Sequence, residues 1–193
     1  RIGVATYSVG VAYNNRKTSL QFIQQEMNNI TALSNETCQL GIQSRNMVLY
    51  IAKKDSPQPI RLMSSVGKQL PLYCTGLGRA LLAYKSEEEI RNLFPEVLTA
   101  YTPHTIATIN DLLKELELTR QRGYAVEHEE TNLMVNCIAV SLDYNNAPIA
   151  ALSISIPTFR ISESKEKEAV QILWEAKQRI ETHFKMYGVD FRN

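Results

Sequence analysis

The amino-acid sequence predicts an α+β domain in which a central antiparallel or mixed β-sheet is flanked by helices. Apolar residues recur at spacings of three and four near both ends of the chain, as on one face of a helix. Apolar and polar residues alternate in a late segment, as in a strand. The predicted elements follow in the order helix, strands, helices, strands, helix. That order differs from the regular strand–helix alternation of a parallel sheet.

The first elements are a predicted helix and a β-hairpin. Thr18 or Ser19 can cap a helix that runs to about Ser34. The apolar face of this helix is formed by Leu20, Ile23, Met27, Ile30 and Leu33. Residues 38–43 and 47–53 are short apolar segments separated by turn-like residues, which predicts a hairpin.

The middle of the chain is predicted to contain one strand and three helices. The strand is predicted at residues 60–64, and a proline-containing loop precedes it. Gly76–Tyr84 forms the first helix, and residues 86–94 form the second, which begins with a capping box. Residues 108–123 form the third, which has one apolar face and ends at a glycine suited to a left-handed cap.

The last third is predicted to contain three strands and a long helix. A short strand at 124–126 is followed by strands at 137–142 and 148–157, joined by an asparagine-rich turn. The helix runs from about Glu163 to Tyr187. Its buried stripe is formed by Ala169, Leu173, Ala176, Ile180 and Phe184.

Composition and charge exclude several classes of protein. The 193 residues are 44% hydrophobic and 21% charged, which is typical of a globular domain. A net charge of +1 lacks the basic excess of a surface that grips DNA phosphates. No apolar run is long enough to span a membrane. Three separated cysteines, Cys38, Cys74 and Cys137, favour reduced thiols in a cytoplasm, and no spacing indicates a metal site or a cofactor.

Thr75-Gly-Leu-Gly78 is a candidate anion site at the start of a helix. Thr75 can cap the helix, and side-chain-free glycines let a ligand approach the N–H groups of Gly76 and Leu77. The positive end of the helix dipole favours a carboxylate or phosphate there. The alternative is that Gly76 and Gly78 only permit close packing of the helix.

Polar residues in the last third form a second candidate. In the acidic cluster Glu127-His-Glu-Glu130, three carboxylates beside one histidine could bind a metal or polarise a ligand hydroxyl, or the cluster could be a solvated edge. Cys137 could be a small buried apolar residue, or a nucleophile with His128 as its base. Ser153 and Ser155 share one face of their strand, and their buried hydroxyls need a partner such as a polar ligand or ordered water.

The sequence resembles the IclR-type transcription regulators, in residues and in order, at Gly67–Ala83, at Arg122–Glu130 followed by Cys137–Val140, and at Ala150–Ser155. The resemblance implies a GAF-like effector-binding domain over residues 17–193. It makes residues 1–16 the end of a wing and a linker helix. DNA would then be contacted only through an N-terminal winged helix-turn-helix that this chain lacks, and the protein would be a homodimer or homotetramer in the cytoplasm.

The resemblance also implies a pocket for a small carboxylate effector. The backbone of Gly76 and Leu77 would hold the carboxylate. The polar end would contact Glu127, Cys137, Ser153 and Ser155. The wall would consist of Leu62, Leu70, Met134, Val135 and Ala151.

This chain departs from the IclR pattern at three positions. It has Glu127 where Asp is usual, Met134 where Gly is usual and Asn136 where Arg is usual. Glu127 and Met134 could reshape the cavity. Tyr73 resembles members that sense sugar acids.

Three hypotheses follow. The first is a sensor domain, without enzymatic activity, that binds a small organic acid, such as a sugar, keto or hydroxy acid, and controls oligomerisation or DNA binding. The second is a cysteine-dependent enzyme that uses Cys137 and His128. The third is an oligomerisation module that is indifferent to ligands.

Overall fold

The computed structural model describes Gly3, residues 18–59 and residues 65–190. These residues form five α-helices and six β-strands, with one 3-10 turn at Thr158–Arg160. The helices are α1 (Thr18–Ser34), α2 (Gly76–Leu82), α3 (Glu87–Leu93), α4 (Ile109–Arg122) and α5 (Glu163–Tyr187). The strands are β1 (Thr37–Ser44), β2 (Met47–Lys54), β3 (Gln69–Pro71), β4 (Ala125–His128), β5 (Val135–Tyr144) and β6 (Ala147–Pro157).

All six strands belong to one antiparallel sheet with the order β3-β2-β1-β6-β5-β4. The α+β class is therefore confirmed, and the sheet is antiparallel rather than mixed. Its centre is the pairing of β1 with β6. The β5–β6 hairpin turns at Asn145 and Asn146, which both have a positive φ, as a tight hairpin turn requires.

Helices cover both faces of the sheet, and each face has its own core. On the first face, α1 and α5 pack against Leu40, Leu152 and Ile154. On the second face, α2, α3 and α4 pack around Ala139 and Ala151. A strand therefore contributes alternate residues to two separate cores, and the face that a residue occupies decides its surroundings.

Local signals set the helix ends as the sequence predicts. Ser86 and Glu89 form a complete capping box at the start of α3. Thr108 caps α4, and Gly123 ends it with a left-handed φ of 79°. The α5 helix spans the predicted Glu163–Tyr187, and its predicted apolar stripe is fully buried.

The structure differs from the predicted elements mainly at three strands, of which β5 extends two residues further at each end than predicted. β3 was not predicted, because three residues that end in a proline carry no alternating pattern; a proline is tolerated on an edge strand such as this one. β4 continues to His128, so Glu127 lies within a strand rather than after it. The predicted strand at 60–64 lies outside the described residues, as do residues 1–16 apart from Gly3.

No helix among the described residues is long and apolar enough to cross a membrane.

Gly78 is predicted to be essential for packing α2. A methyl carbon at Gly78 would lie 2.1 Å from the carbonyl oxygen of Leu72, whereas one at Gly76 would meet the Cβ atoms of Cys137 and Ala139 at 3.3 and 3.4 Å. We expect Gly78→Ala to lower the free energy of unfolding by about 3 kcal/mol or more, since backbone atoms must move, and Gly76→Ala by about 1 kcal/mol or less. Urea denaturation measures both, and equal losses would contradict this packing.

Candidate functional site

A row of polar side chains crosses the second face of the sheet. Strand register places Glu127 opposite Cys137, and Cys137 opposite Ser155. On the next rung, Ser153 lies opposite Gln39. The carboxylate and both hydroxyls are buried, with each residue only 1% exposed. The structure therefore brings together four of the predicted polar site residues, from three strands.

The first turn of α2 lies directly above this row. Gly76 approaches Cys137 so closely that a Cβ atom would be 3.3 Å from the Cys137 Cβ atom. Thr75 caps the helix, its Oγ1 accepting a hydrogen bond from the Gly78 N–H at 3.1 Å. Close packing thus requires Gly78, whereas at Gly76 an added Cβ atom would be tight but would need only small shifts of its neighbours. The first N–H groups of a helix have no acceptor within the helix, so those of Gly76 and Leu77 remain predicted carboxylate donors.

Gln39 is a buried partner of the serines that was not predicted from the sequence. Its Oε1 accepts hydrogen bonds from Ser153 Oγ at 3.2 Å and Ser155 Oγ at 2.9 Å. The predicted need for partners at these hydroxyls is thus met, at least in part, by the protein itself. The sequence does carry a signal for this contact in β1, where polar Gln39 stands between apolar Cys38 and Leu40. This alternation puts Gln39 on the face opposite the two apolar residues, and its pairing with Ser153 makes that the face of the serines.

Glu127 is a buried carboxyl rather than part of a solvated edge. Its Oε1 accepts hydrogen bonds from the N–H groups of Glu130 at 2.6 Å and Thr131 at 3.2 Å. Burial raises the pKa of Glu127 from 4.5 to about 7, and the hydrogen bonds with the Cys137 side chain and with these two N–H groups only partly oppose the effect. Glu127 can therefore present a ligand with either a carboxylate or a protonated carboxyl near neutral pH.

A buried ion pair holds the loop after β4 against α2. Arg79 Nη2 lies 2.5 Å from Glu130 Oε2, and both side chains are almost fully buried. Arg79 also donates to the carbonyl oxygens of Tyr73 at 3.0 Å and Val126 at 2.9 Å. The pair was not predicted, because the two residues are 51 positions apart. It ties together the two segments that supply the helix start and Glu127.

The strand geometry argues against Cys137 as a nucleophile activated by His128. His128 pairs with Asn136 rather than with Cys137, so its side chain lies on the opposite face of the sheet. Its Nδ1 is 3.0 Å from Asn136 Oδ1. Burial, reinforced by the nearby Glu127, raises the pKa of the Cys137 thiol well above its ordinary value. A thiol with a raised pKa and no adjacent histidine is poorly suited to nucleophilic catalysis.

Tyr50 is another residue near the row that was not predicted. It is buried on β2. Burial raises the pKa of its hydroxyl, and the nearby Cys137 and Glu127 raise it further. Tyr50 therefore stays neutral and adds a phenol close to the polar row.

The predicted wall residues occupy different environments. Ala151 is fully buried on the second face, and Leu70 and Val135 are half-buried. Met134 is 56% exposed and has a left-handed φ of 67°, which gives a physical reason for the glycine usual at this position in the IclR pattern. Leu62 lies outside the described residues. The role of all five as a ligand wall stays a prediction.

Among the described residues, no cluster of three or more histidine, cysteine, aspartate or glutamate side chains could hold a metal ion.

Replacing Glu127 is predicted to change how stability depends on pH. Its pKa is raised in the folded state, so its contribution is complete below pH 4.5 and is lost as pH rises through about 7. The loss amounts to roughly 3 kcal/mol. We expect Glu127→Gln to remove this decline, because the amide oxygen still accepts the loop N–H groups but cannot ionise. Urea denaturation from pH 4.5 to 8 measures the decline in the free energy of unfolding, and Glu88→Gln, at an exposed position, is the control. Parallel curves for wild type and Glu127→Gln would refute the raised pKa.

Comparison with known proteins places this chain among transcription regulators. A family model described as the C-terminal part of the bacterial transcriptional regulator IclR matches residues 12–182. The regulator KdgR of Dickeya chrysanthemi is 38% identical over 157 residues, which are 80% of this chain and 52% of KdgR. The chain thus spans about half the length of this curated relative.

Solved structures share the fold. The C-terminal domain of Escherichia coli KdgR superposes with a TM-score of 0.77 at 32% identity, over 85% of this chain and 96% of that domain. An IclR homologue from Microbacterium hydrocarbonoxydans, complexed with 4-hydroxybenzoate, has a TM-score of 0.77 at 24% identity, over 88% of this chain and 70% of that one. By sequence and fold, this chain belongs to the IclR family of bacterial transcriptional regulators and corresponds to their C-terminal domain.

Proposed function

We propose that this chain senses a small organic acid, such as a sugar, keto or hydroxy acid. The N–H groups of Gly76 and Leu77 hold the carboxylate, while Glu127 and the serines bind the polar end. The observation that carries the proposal is the row of buried polar groups beneath the first turn of α2. A site that combines apolar walls with a few convergent polar groups is typical of small-ligand pockets.

Two further observations support an acid as the ligand. A helix start favours an anion through its exposed N–H groups and its dipole. In addition, the IclR homologue from Microbacterium hydrocarbonoxydans was crystallised with 4-hydroxybenzoate, which is a small acid. That compound is therefore a reasonable first probe for this chain.

We propose that the ligand acts on DNA through an upstream winged helix-turn-helix. This chain covers 52% of the KdgR sequence, and its net charge of +1 is poorly suited to gripping phosphates. The functional unit is a homodimer or homotetramer in the cytoplasm. A coupling free energy of about 1–3 kcal/mol between the ligand and DNA sites would suffice for regulation.

The serines provide the decisive test. We expect a panel of keto, hydroxy, sugar and aromatic acids to include saturable ligands in isothermal titration. The double variant Ser153→Ala/Ser155→Ala should weaken binding by about 10- to 100-fold, because two ligand hydrogen bonds are lost. Ser44→Ala, at the far end of β1, should bind like wild type.

Two results would contradict the sensor function. One is the absence of heat with every acid in the panel, and the other is an unchanged affinity in the double serine variant. An oligomer of normal stability that ignores all the acids would instead favour the ligand-independent assembly module.

A further inference from the structure

Gln39 controls which hydrogen bonds the serine pair can offer. A serine hydroxyl has one proton to donate and two lone pairs that accept. In this structure, both Ser153 and Ser155 donate their proton to Gln39 Oε1. The remaining capacity of both oxygens is therefore as acceptors.

The contacts around the serines preserve this polarity. Cys137 Sγ lies 3.1 Å from Ser155 Oγ, and a thiol that donates there still leaves Ser155 one lone pair. Glu127 accepts the loop N–H groups through Oε1, and its side chain also hydrogen-bonds to Cys137 on the same face of the sheet. At pH values above about 7, where the Glu127 carboxyl is ionised, it adds a further acceptor to the row.

A row of acceptors discriminates between ligands of equal size. A ligand hydroxyl or N–H can donate to the serines, whereas a carbonyl oxygen or second carboxylate would face their lone pairs. In such a mismatch the serine oxygens and the ligand oxygen are all acceptors, so no proton is available to form a hydrogen bond between them. A site that is built to hydrogen-bond a ligand hydroxyl strongly rejects analogues that lack this hydroxyl.

We propose that Gln39 is the specificity-determining residue of this site, holding Ser153 and Ser155 as acceptors so that the domain selects acids whose far end carries hydroxyl or N–H donors. The inference rests on the proposed acid-binding function and narrows its ligand class. It disfavours dicarboxylates and acids that end in a carbonyl. Gln39 acts through the serines, so it is a positioning residue.

Matched pairs of acids test the inference in titrations of the 193-residue chain. The pairs are 4-hydroxybutanoate with 4-oxobutanoate, 4-hydroxybenzoate with 4-formylbenzoate, and gluconate with glucarate. In every pair that binds, we expect the wild-type chain to prefer the hydroxyl-ended member by about tenfold or more, since each mismatch costs at least one hydrogen bond.

Variants of Gln39 separate its positioning role from a purely structural one. Gln39→Met has a similar length but no acceptor, so the serine protons become available to a ligand carbonyl and the preference should fall about tenfold, towards unity. Gln39→Glu keeps an acceptor oxygen and should retain the wild-type preference. Gln43→Met makes the same change on the same strand outside the row and should leave the preference intact.

The outcomes of these titrations distinguish the role of Gln39 from the acid-sensing function itself. A hydroxyl preference that Gln39→Met abolishes and Gln39→Glu retains supports the inference. Equal binding within the pairs, or an unchanged preference in Gln39→Met, overturns the inference and leaves the acid-sensing function standing. If no acid binds the wild-type chain, the sensing function fails and the inference fails with it. If circular dichroism shows Gln39→Met to be unfolded, the preferences of the wild type and Gln39→Glu decide, and equal binding within the pairs by either protein overturns the inference.

Discussion

The antiparallel pairing of β1 with β6 is the contact on which the rest of the molecule depends. It joins residues more than a hundred positions apart, and Gln39 and Ser153 are neighbours across it. The same pairing builds the first core, because Cys38 and Leu40 pack with Ile154 and Leu152 on the other side of the sheet. One register therefore serves two purposes. A slip by one residue would move the polar residues into the first core and the apolar residues into the site.

The fold must also hold charged groups inside an apolar layer. Arg79 and Glu130 form a buried pair, and breaking such a pair is expected to cost about 3–5 kcal/mol because one charge would be left uncompensated. The pair fastens the loop after β4, and that loop supplies the two N–H groups that bond Glu127. The position of the Glu127 carboxyl is thus set by backbone contacts. Its raised pKa follows from the burial that the same contacts impose.

Elements with strong local signals could be predicted from the sequence, and residues with distant partners could not. The bounds of α5 and the ends of α3 and α4 follow from nearby caps and from periodic apolar residues. The short edge strand β3 has no such pattern. Strand alternation placed Ser153 and Ser155 on one face, but their partner Gln39 lies 114 and 116 positions away. The Arg79–Glu130 pair escaped prediction for the same reason, since a single sequence does not reveal which strands become neighbours.

The polar row is costly for a domain whose only task is to fold. Glu127 destabilises the folded state at neutral pH, because its pKa is raised and its charge is buried. Apolar residues of similar size at buried polar positions are often neutral or stabilising. The row also lies beneath the start of α2, so its polar groups and the first helical N–H groups are found in one part of the second face. Stability alone gives no reason for that convergence, whereas a small acid bound between the helix start and the serines would use every one of these groups.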